Sequence, residues 1–524
     1  MGGGQRLAIR LEVQPRHSPE IDPGFLPAVL WNRAFASAVR ASRGGVPLGI
    51  ALVRQDGTVF RHAARILPTS AANAALNLRY VERLVKFLLW QKGGATVLVK
   101  GADAVARALA SHYSAKGARA FDRDFLGRRV FGAPIEVRAA RQLPPARETQ
   151  RPLGRHLDGC RIGFDLGGSD RKAAALVDGK VVFSDEVKWN PYFEKDPAYH
   201  LEGVNDTIRR AAQHLPRIDA IGGSAAGVYV NSEPRVGSLY RGISEPDFDR
   251  HIRGLFRALQ QWWGGVPLEV VNDGEVTALA GSMSLRSNAV LGISLGTSTA
   301  AGYVTPDGNI TPWLNELAFV PIDYREGAPA DEWSGDPGVG AQYFSQQAVS
   351  RLLPAAGIAL PAEMPLAERL VEVQTLMAKG DPRARRIYEA IGVYLGYGIA
   401  HFADFYAIEN VLVLGRVTSG EGGDRIIESA GRVLKDEFPA LAERIRLRTP
   451  DEKEKRHGQA IAAASLPVLH APGGGRGAPY SARAKPVSTL RTATAIGEQS
   501  VVKRRKSAPR KAVRGASVVP EKRT

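Results

Sequence analysis

The chain has one cysteine, Cys160, in 524 residues. That excludes an internal disulfide and any cysteine-rich zinc centre. Aromatic residues make up only 7%, and no run of about 18 apolar residues occurs, so no membrane span is expected. The opening residues, Met1-Gly2-Gly3-Gly4-Gln5-Arg6, lack the apolar stretch of a secretory signal. Position 6 also lacks the Ser or Thr of a myristoylation signal. These absences predict a cytoplasmic protein. With 44% hydrophobic and 23% charged residues the composition is globular, and the length implies roughly three to four folding units.

Acidic residues are scarce at both ends. Residues 1–160 hold 25 Lys and Arg against 11 Asp and Glu, and residues 471–524 hold 13 against 2. Residues 161–470 hold 32 against 40, so a mildly acidic centre lies between basic flanks. The last stretch is rich in Gly, Pro, Ala, Lys and Arg, and its composition predicts a disordered, solvated tail. Its densest charge, Lys503-Arg504-Arg505-Lys506, leaves nucleic acid, acidic partners or inorganic polyphosphate as lesser readings.

What the centre does contain is one pattern written twice. Phe164-Asp165-Leu166-Gly167-Gly168-Ser169-Asp170-Arg171-Lys172 leads to Asp178-Gly179. Ile293-Ser294-Leu295-Gly296-Thr297-Ser298-Thr299-Ala300-Ala301 leads to Asp307-Gly308. Each reads as strand, Gly turn with hydroxyls, strand and Asp-Gly hairpin turn, with 11 residues from turn Gly to Asp in both. Two such turns form the halves of a clamp suited to a polyphosphate chain.

Around the pair, the sequence predicts further elements. Residues 1–40, with Pro15, Pro19, Pro23 and Pro27, are expected to hold no long regular element. A hairpin is predicted over 47–66, a helix over 72–91 and a strand at ATVLVKG. A helix over 103–112 and a strand at PIEVRAA complete a small α/β unit, and Pro144, Pro145 and Pro152 mark a linker. Gly44-Gly45 with Asp56-Gly57 resembles a faint third copy of the hairpin. Beyond the linker, a strand at 218–221 is read as ending in a Gly-rich loop, 222–227. A strand at 268–271 delivers Asn272-Asp273-Gly274 to a helix running from Glu275 to about Met283. Asp381-Pro382 opens a long helix that feeds the strand 411–414 and a loop from Gly415 to Gly423. A last helix is predicted over 458–469.

In this order the motifs resemble the ROK family (repressors, open reading frames and sugar kinases), over about residues 160–470. The resemblance implies an α/β, two-lobed actin/hexokinase-like (ribonuclease H-like) ATPase core with a glucokinase-like centre. The domains expected are a basic N-terminal α/β module (1–155), a first lobe (156–287), a second lobe whose final helix packs back (288–470) and the tail (471–524). It further implies a sugar kinase using ATP and Mg²⁺ on a hexose or amino sugar. Asp273 would be the general base, with Asn272 and Glu316 on the acceptor sugar. Asp165 would hold Mg²⁺ or its water. Gly167, Gly168, Ser169, Gly296, Thr297, Ser298 and Gly415 would line the nucleotide phosphates. Lys172 reads as a solvated strand lysine, and Glu275 as a first-turn carboxylate complementing the helix dipole.

The chain departs from the family on the acceptor side. Asn315-Glu316-Leu317-Ala318-Phe319 stands where Gly-Glu-x-Gly-His is usual, so Phe319 replaces the His. The Cys-rich zinc segment is absent, with Asp331-Glu332-Trp333-Ser334-Gly335 nearby, and zinc is not expected. Arg416 crowds a position where a second Gly is common. These departures keep a non-catalytic sugar or nucleotide sensor open. A transcriptional regulator is the other alternative, since 103–113, Gly117 and 121–128 can be read as a helix-turn-helix. A homodimer is compatible with the sequence, and nucleic acid is the less favoured partner.

Overall fold

The computed structural model describes residues 9, 11–148, 153–449 and 458–469; the predicted tail, 471–524, lies outside them. The proline-rich start does carry a long element. Pro27 (φ −58°) occupies the position just before α1 (Ala28–Ala41), so the prolines precede the helix rather than break it. β1 (Val46–Val53) and β2 (Val59–Ile66) form the predicted hairpin, closed where Thr58 N donates to Asp56 Oδ1. α2 (Ala74–Lys92), β3 (Thr96–Lys100), α3 (Asp103–His112), a π-helical segment Asp122–Val130 and β4 (Glu136–Ala139) follow.

The sheet of this module runs β2-β1-β3-β4, with β3 antiparallel to β1 and parallel to β4. The two segments offered as a helix-turn-helix are therefore the crossover between β3 and β4. In the second of them Arg123 and Arg128 pair with Asp124, and Arg129 just beyond pairs with Glu245. Nor is the module a third copy of the repeat, because β3, the strand added beside its hairpin, joins β1 antiparallel, whereas in both copies the added strand joins in parallel.

The first lobe begins with β5 (Cys160–Leu166), β6 (Asp170–Val177) and β7 (Lys180–Lys188) as an antiparallel meander. α4 (Pro197–Ala212) leads to β8 (Ala220–Ala225), which joins β5 in parallel. A ribbon of β9 (Val228–Val230) and β10 (Glu233–Val236), the short α5 (Glu245–Asp247) and α6 (Leu255–Trp262) precede β11 (Leu268–Asn272). The order is β11-β8-β5-β6-β7. Asp178 and Gly179 both have positive φ (48° and 78°), as a two-residue I′ turn requires.

α7 (Asp273–Leu285) crosses to the second lobe, where β12 (Val290–Leu295) and β13 (Thr299–Val304) repeat the hairpin. α8 (Gln346–Ala356), α9 (Leu366–Ala378) and α10 (Pro382–Phe402) lead to β14 (Asn410–Leu414), parallel to β12. α11 (Glu421–Glu437) and α12 (Pro439–Arg444) lead to β15 (Arg446–Arg448), giving β13-β12-β14-β15. The two lobes share a plan: a hairpin, then parallel strands added beside its first strand. Here the third strand shrinks to single bridges from Ile310 to Val304 and Leu153.

α13 (Gly458–Ala464) stops five residues short of the sequence reading, since Ser465-Leu466-Pro467 follows and the residue before a proline disfavours helix. It sits on the first lobe. A Cβ on Gly163 or Gly222 would lie 1.8 Å or 1.7 Å from the carbonyl oxygens of Ala460 and Ala463. Gly222 and Gly223 thus belong to the strand β8, not to a loop. They are small because a helix backbone and the Phe164 ring press on them. The hydrophobic core of the N-terminal module is continuous with that of the second lobe, while the first lobe has its own.

Candidate active site

In open α/β sheets the crevice lies at the carboxyl ends of the parallel strands. The first lobe brings Asp165, near the end of β5, together with Ser224 of β8 and Asn272-Asp273 between β11 and α7. The second brings Gly296, Thr297 and Ser298 after β12, and Gly415 after β14. Because α7 starts at Asp273 and packs along β12 and β13, Asp273 stands where the lobes meet.

Asp165 is 5% exposed, and its Oδ1 accepts from Ser224 Oγ at 2.6 Å. Burial raises its pKa. Lys172, its register partner across β5 and β6, places Nζ 3.7 Å from Asp165 Oδ2 and 3.1 Å from Asp170 Oδ1. The lysine is therefore paired inside the cleft rather than solvated. Asp273 and Glu316 keep some surface open to the cleft yet lie deep. Burial, with Asp165 nearby, pushes Asp273 up to about 6, and burial beside Asp273 pushes Glu316 up to about 7.

Asn272 caps α7: its Oδ1 accepts from Gly274 N at 2.7 Å, and its Nδ2 donates to Gly227 O at 2.7 Å. Glu275 does not serve the helix dipole in solvent. It is 4% exposed and reaches the second lobe, accepting from Asn315 Nδ2 at 2.5 Å and Tyr303 N at 3.1 Å. Burial raises it to about 8. Asn315 in turn accepts from Tyr406 Oη at 2.8 Å and has φ +52°. The sequence reading missed this Glu275–Asn315–Tyr406 chain; an Asn fixed just before Glu316 was its one signal.

The loop carrying Glu316 is held by the N-terminal module, a role sequence did not suggest. The last carbonyls of a helix lack partners within it. At the end of α2, Gln91 O accepts from Leu314 N and Asn315 N, and Trp90 O accepts from Glu316 N. Arg54 donates to Lys92 O and, at 2.8 Å, to Pro312 O. Phe319, at the family's His position, packs against Trp90, Phe121 and Trp333. Behind it Asp336 accepts from Lys86 Nζ and Arg119 Nη1, each at 2.5 Å, and Lys86 also bonds Asp122. Module and lobe are thus tied by buried ion pairs beside residues 331–335.

On the phosphate side each turn is closed by its Gly N–H, Gly167 N donating to Asp170 O and Gly296 N to Ser298 O, each at 3.0 Å, the first turn being one residue longer. Ser169, Thr297 and Ser298 are exposed at the tips. Gly168 does not leave open room, because an added Cβ would lie 1.9 Å from Tyr192 Oη. Gly415 (φ +104°) presses against the Leu295 backbone, which is why it is Gly. The stretch after it is a 3-10 turn, Arg416–Thr418, and then α11, so Gly422 and Gly423 are helical rather than loop residues. At the base of the cleft a cavity of about 140 Å³ is lined by Asp273, Thr277, Ser294, Ala300, Leu414 and Gln459.

Among the described residues no three His, Cys, Asp or Glu side chains gather to hold a metal ion. Asp165 by itself fits Mg²⁺, which commonly takes one or two carboxylates and completes its shell with phosphate oxygens and water. Burial raises its pKa, and Ser224 and Lys172 offset that only in part.

Two lobes built on one hairpin plan, each with a Gly turn, and a carboxylate where they meet, define an actin/hexokinase-like α/β fold. The core is similar in fold to proteins of the ROK family. A ROK hexokinase from Thermus thermophilus shares 20% identity (TM-score 0.46, 59% of this chain and 97% of that one). A ROK glucokinase from Streptomyces griseus, solved with glucose and AMPPNP, shares 20% (TM-score 0.43, 59% and 99%). A ROK family transcriptional regulator, a homologue of the E. coli MLC protein, shares 19% (TM-score 0.47, 69% and 87%). No family model and no curated protein matches the sequence. Identities this low leave function to be read from the residues of this chain.

Proposed function

We propose that the protein is an ATP-dependent kinase of a sugar hydroxyl, acting on a hexose or amino sugar. The observation that carries this reading is the placement of Asp273, a cleft carboxylate at the lobe junction with its pKa near 6. Such a group is mostly ionised at neutral pH and still basic enough to take a proton from an attacking hydroxyl. Glu316, on the rigidly held loop, accepts a bond from a second hydroxyl and orients the ring. Asn272 fixes Asp273 through the helix cap. Ser169, Thr297 and Ser298 offer hydroxyl donors to the phosphates from both lobes. Mg²⁺ bound through Asp165 would neutralise charge on the transferred phosphoryl group. Positioning and charge stabilisation then do most of the catalysis.

Purified protein with ATP, Mg²⁺ and a sugar panel is expected to release ADP in a sugar-dependent way. Asp273→Asn should lower that rate by about 10²–10⁴-fold. No sugar-stimulated release, with D273N indistinguishable from the parent, rejects the proposal. A second reading, a sugar or nucleotide sensor, is favoured by Phe319 at the usual His position. Saturable ATP binding without turnover on any acceptor would select it.

A further inference from the structure

The base and the carboxylate that orients the acceptor stand on different elements: Asp273 opens α7, and Glu316 lies on a loop of the second lobe. One buried side chain joins the two. Glu275, on the first turn of α7, accepts from Asn315 Nδ2 and from Tyr303 N of β13, and Asn315 immediately precedes Glu316. Both ends of the Asn315 amide are used, since its Oδ1 accepts from Tyr406 Oη. That double hold supports Asn315 at φ +52°, a left-handed conformation that residues other than glycine seldom adopt. The helix turn is itself pressed onto the strand. A Cβ on Gly274 would lie 2.8 Å from Ala301 O, and one on Gly302 would strike the Gly274 carbonyl.

Packing alone does not call for a carboxyl here. The groups around Glu275 are Asn315, Tyr303 N and Glu316, none of them a cation, and burying an acid without one is costly. What a carboxyl offers, and an apolar side chain does not, is two oxygens for two converging donors. The link also survives protonation: a protonated Glu275 donates to Asn315 once that amide turns over, and Tyr406 Oη then accepts from its Nδ2. Resting on the kinase reading above, we infer that Glu275 is a positioning residue: through Asn315 it sets the spacing between Asp273 and Glu316, and with it the fit of the acceptor sugar. Its bonds run to the acceptor loop and β13, not to the Gly turns on the phosphate side, so its effect falls on the sugar rather than on ATP.

The test is ADP release by the full chain, with kcat/KM measured separately for sugar and for ATP in the parent, Glu275→Met, Asn315→Gly and Glu275→Gln. Met fills the space without an acceptor. N315G cuts the same link from the loop side, at a φ that suits glycine, and so keeps the test valid should E275M fold poorly. Both are expected to lower kcat/KM for the sugar by about 10–100-fold while KM for ATP stays where it was. E275Q, which still bonds Asn315 after the amide turns over, is expected to recover most of that loss. A sugar kcat/KM that neither cut moves, a KM for ATP that rises with it, or a loss that E275Q does not recover overturns the inference and leaves the kinase reading intact. If the parent releases no ADP with any sugar, the kinase reading falls. The link is then judged by amide hydrogen exchange: faster exchange at Leu314 and Glu316 in the two cut variants but not in E275Q supports it, and unchanged exchange overturns it.

Discussion

Asp273 and Asp336 show one burial working in two directions. Burial alone raises both carboxyls. At Asp336 the nearby Lys86 and Arg119 outweigh it and the pKa falls; at Asp273 the charge of Asp165 adds to it, hydrogen bonds from Gly274 and Asn272 do not offset it, and the pKa rises. A depressed carboxyl stabilises the fold above its ordinary range, and that contribution drains as pH falls through its folded value. Asp336→Asn should therefore cost about 3–5 kcal/mol near neutrality, because Lys86 and Arg119 are left buried and undercompensated. The difference from the parent in urea midpoint should narrow in acid. For Asp273 the same physics sets activity: ADP release should climb as pH rises through about 6. A flat profile between pH 5 and 7 contradicts its role as base. The strand ends and turns that carry the motif residues were legible because they follow local rules. Glu275 was not, since its partners Asn315 and Tyr303 reach it only through the fold, and Lys172 was misread because strand pairing brings Asp165 alongside.

Among elements, β8 depends most on a neighbour distant in sequence. Gly222→Ala would press a methyl into the Ala463 carbonyl and should cost about 3 kcal/mol, with α13 lifted from its seat. Denaturation and limited proteolysis after residue 449 report the two effects, and an unchanged midpoint contradicts the packing described. The periodic helices α2, α3 and α10 and the hairpins are readable from sequence alone. The Gly-rich run at 222–227 is not, because a loop glycine and one beneath a crossing helix look alike locally. α1 was hidden for another reason: four prolines mark where a helix cannot run, but not where it starts.

At the scale of the molecule, the N-terminal module is part of the second lobe's core and holds the loop that carries Glu316. Deleting residues 1–148 should give insoluble or unfolded protein, checked by circular dichroism and size exclusion. A soluble, cooperatively melting core would show the module to be an accessory. One further consequence follows from the seat of α13. The first lobe is the first part of the core to leave the ribosome, yet its sheet is covered by a helix made roughly ten to forty seconds later. Until then Gly163 and Gly222 mark an open trough on a nascent sheet. Chains stalled after residue 449 should remain protease-sensitive in the first lobe, and those carried past residue 469 should become resistant.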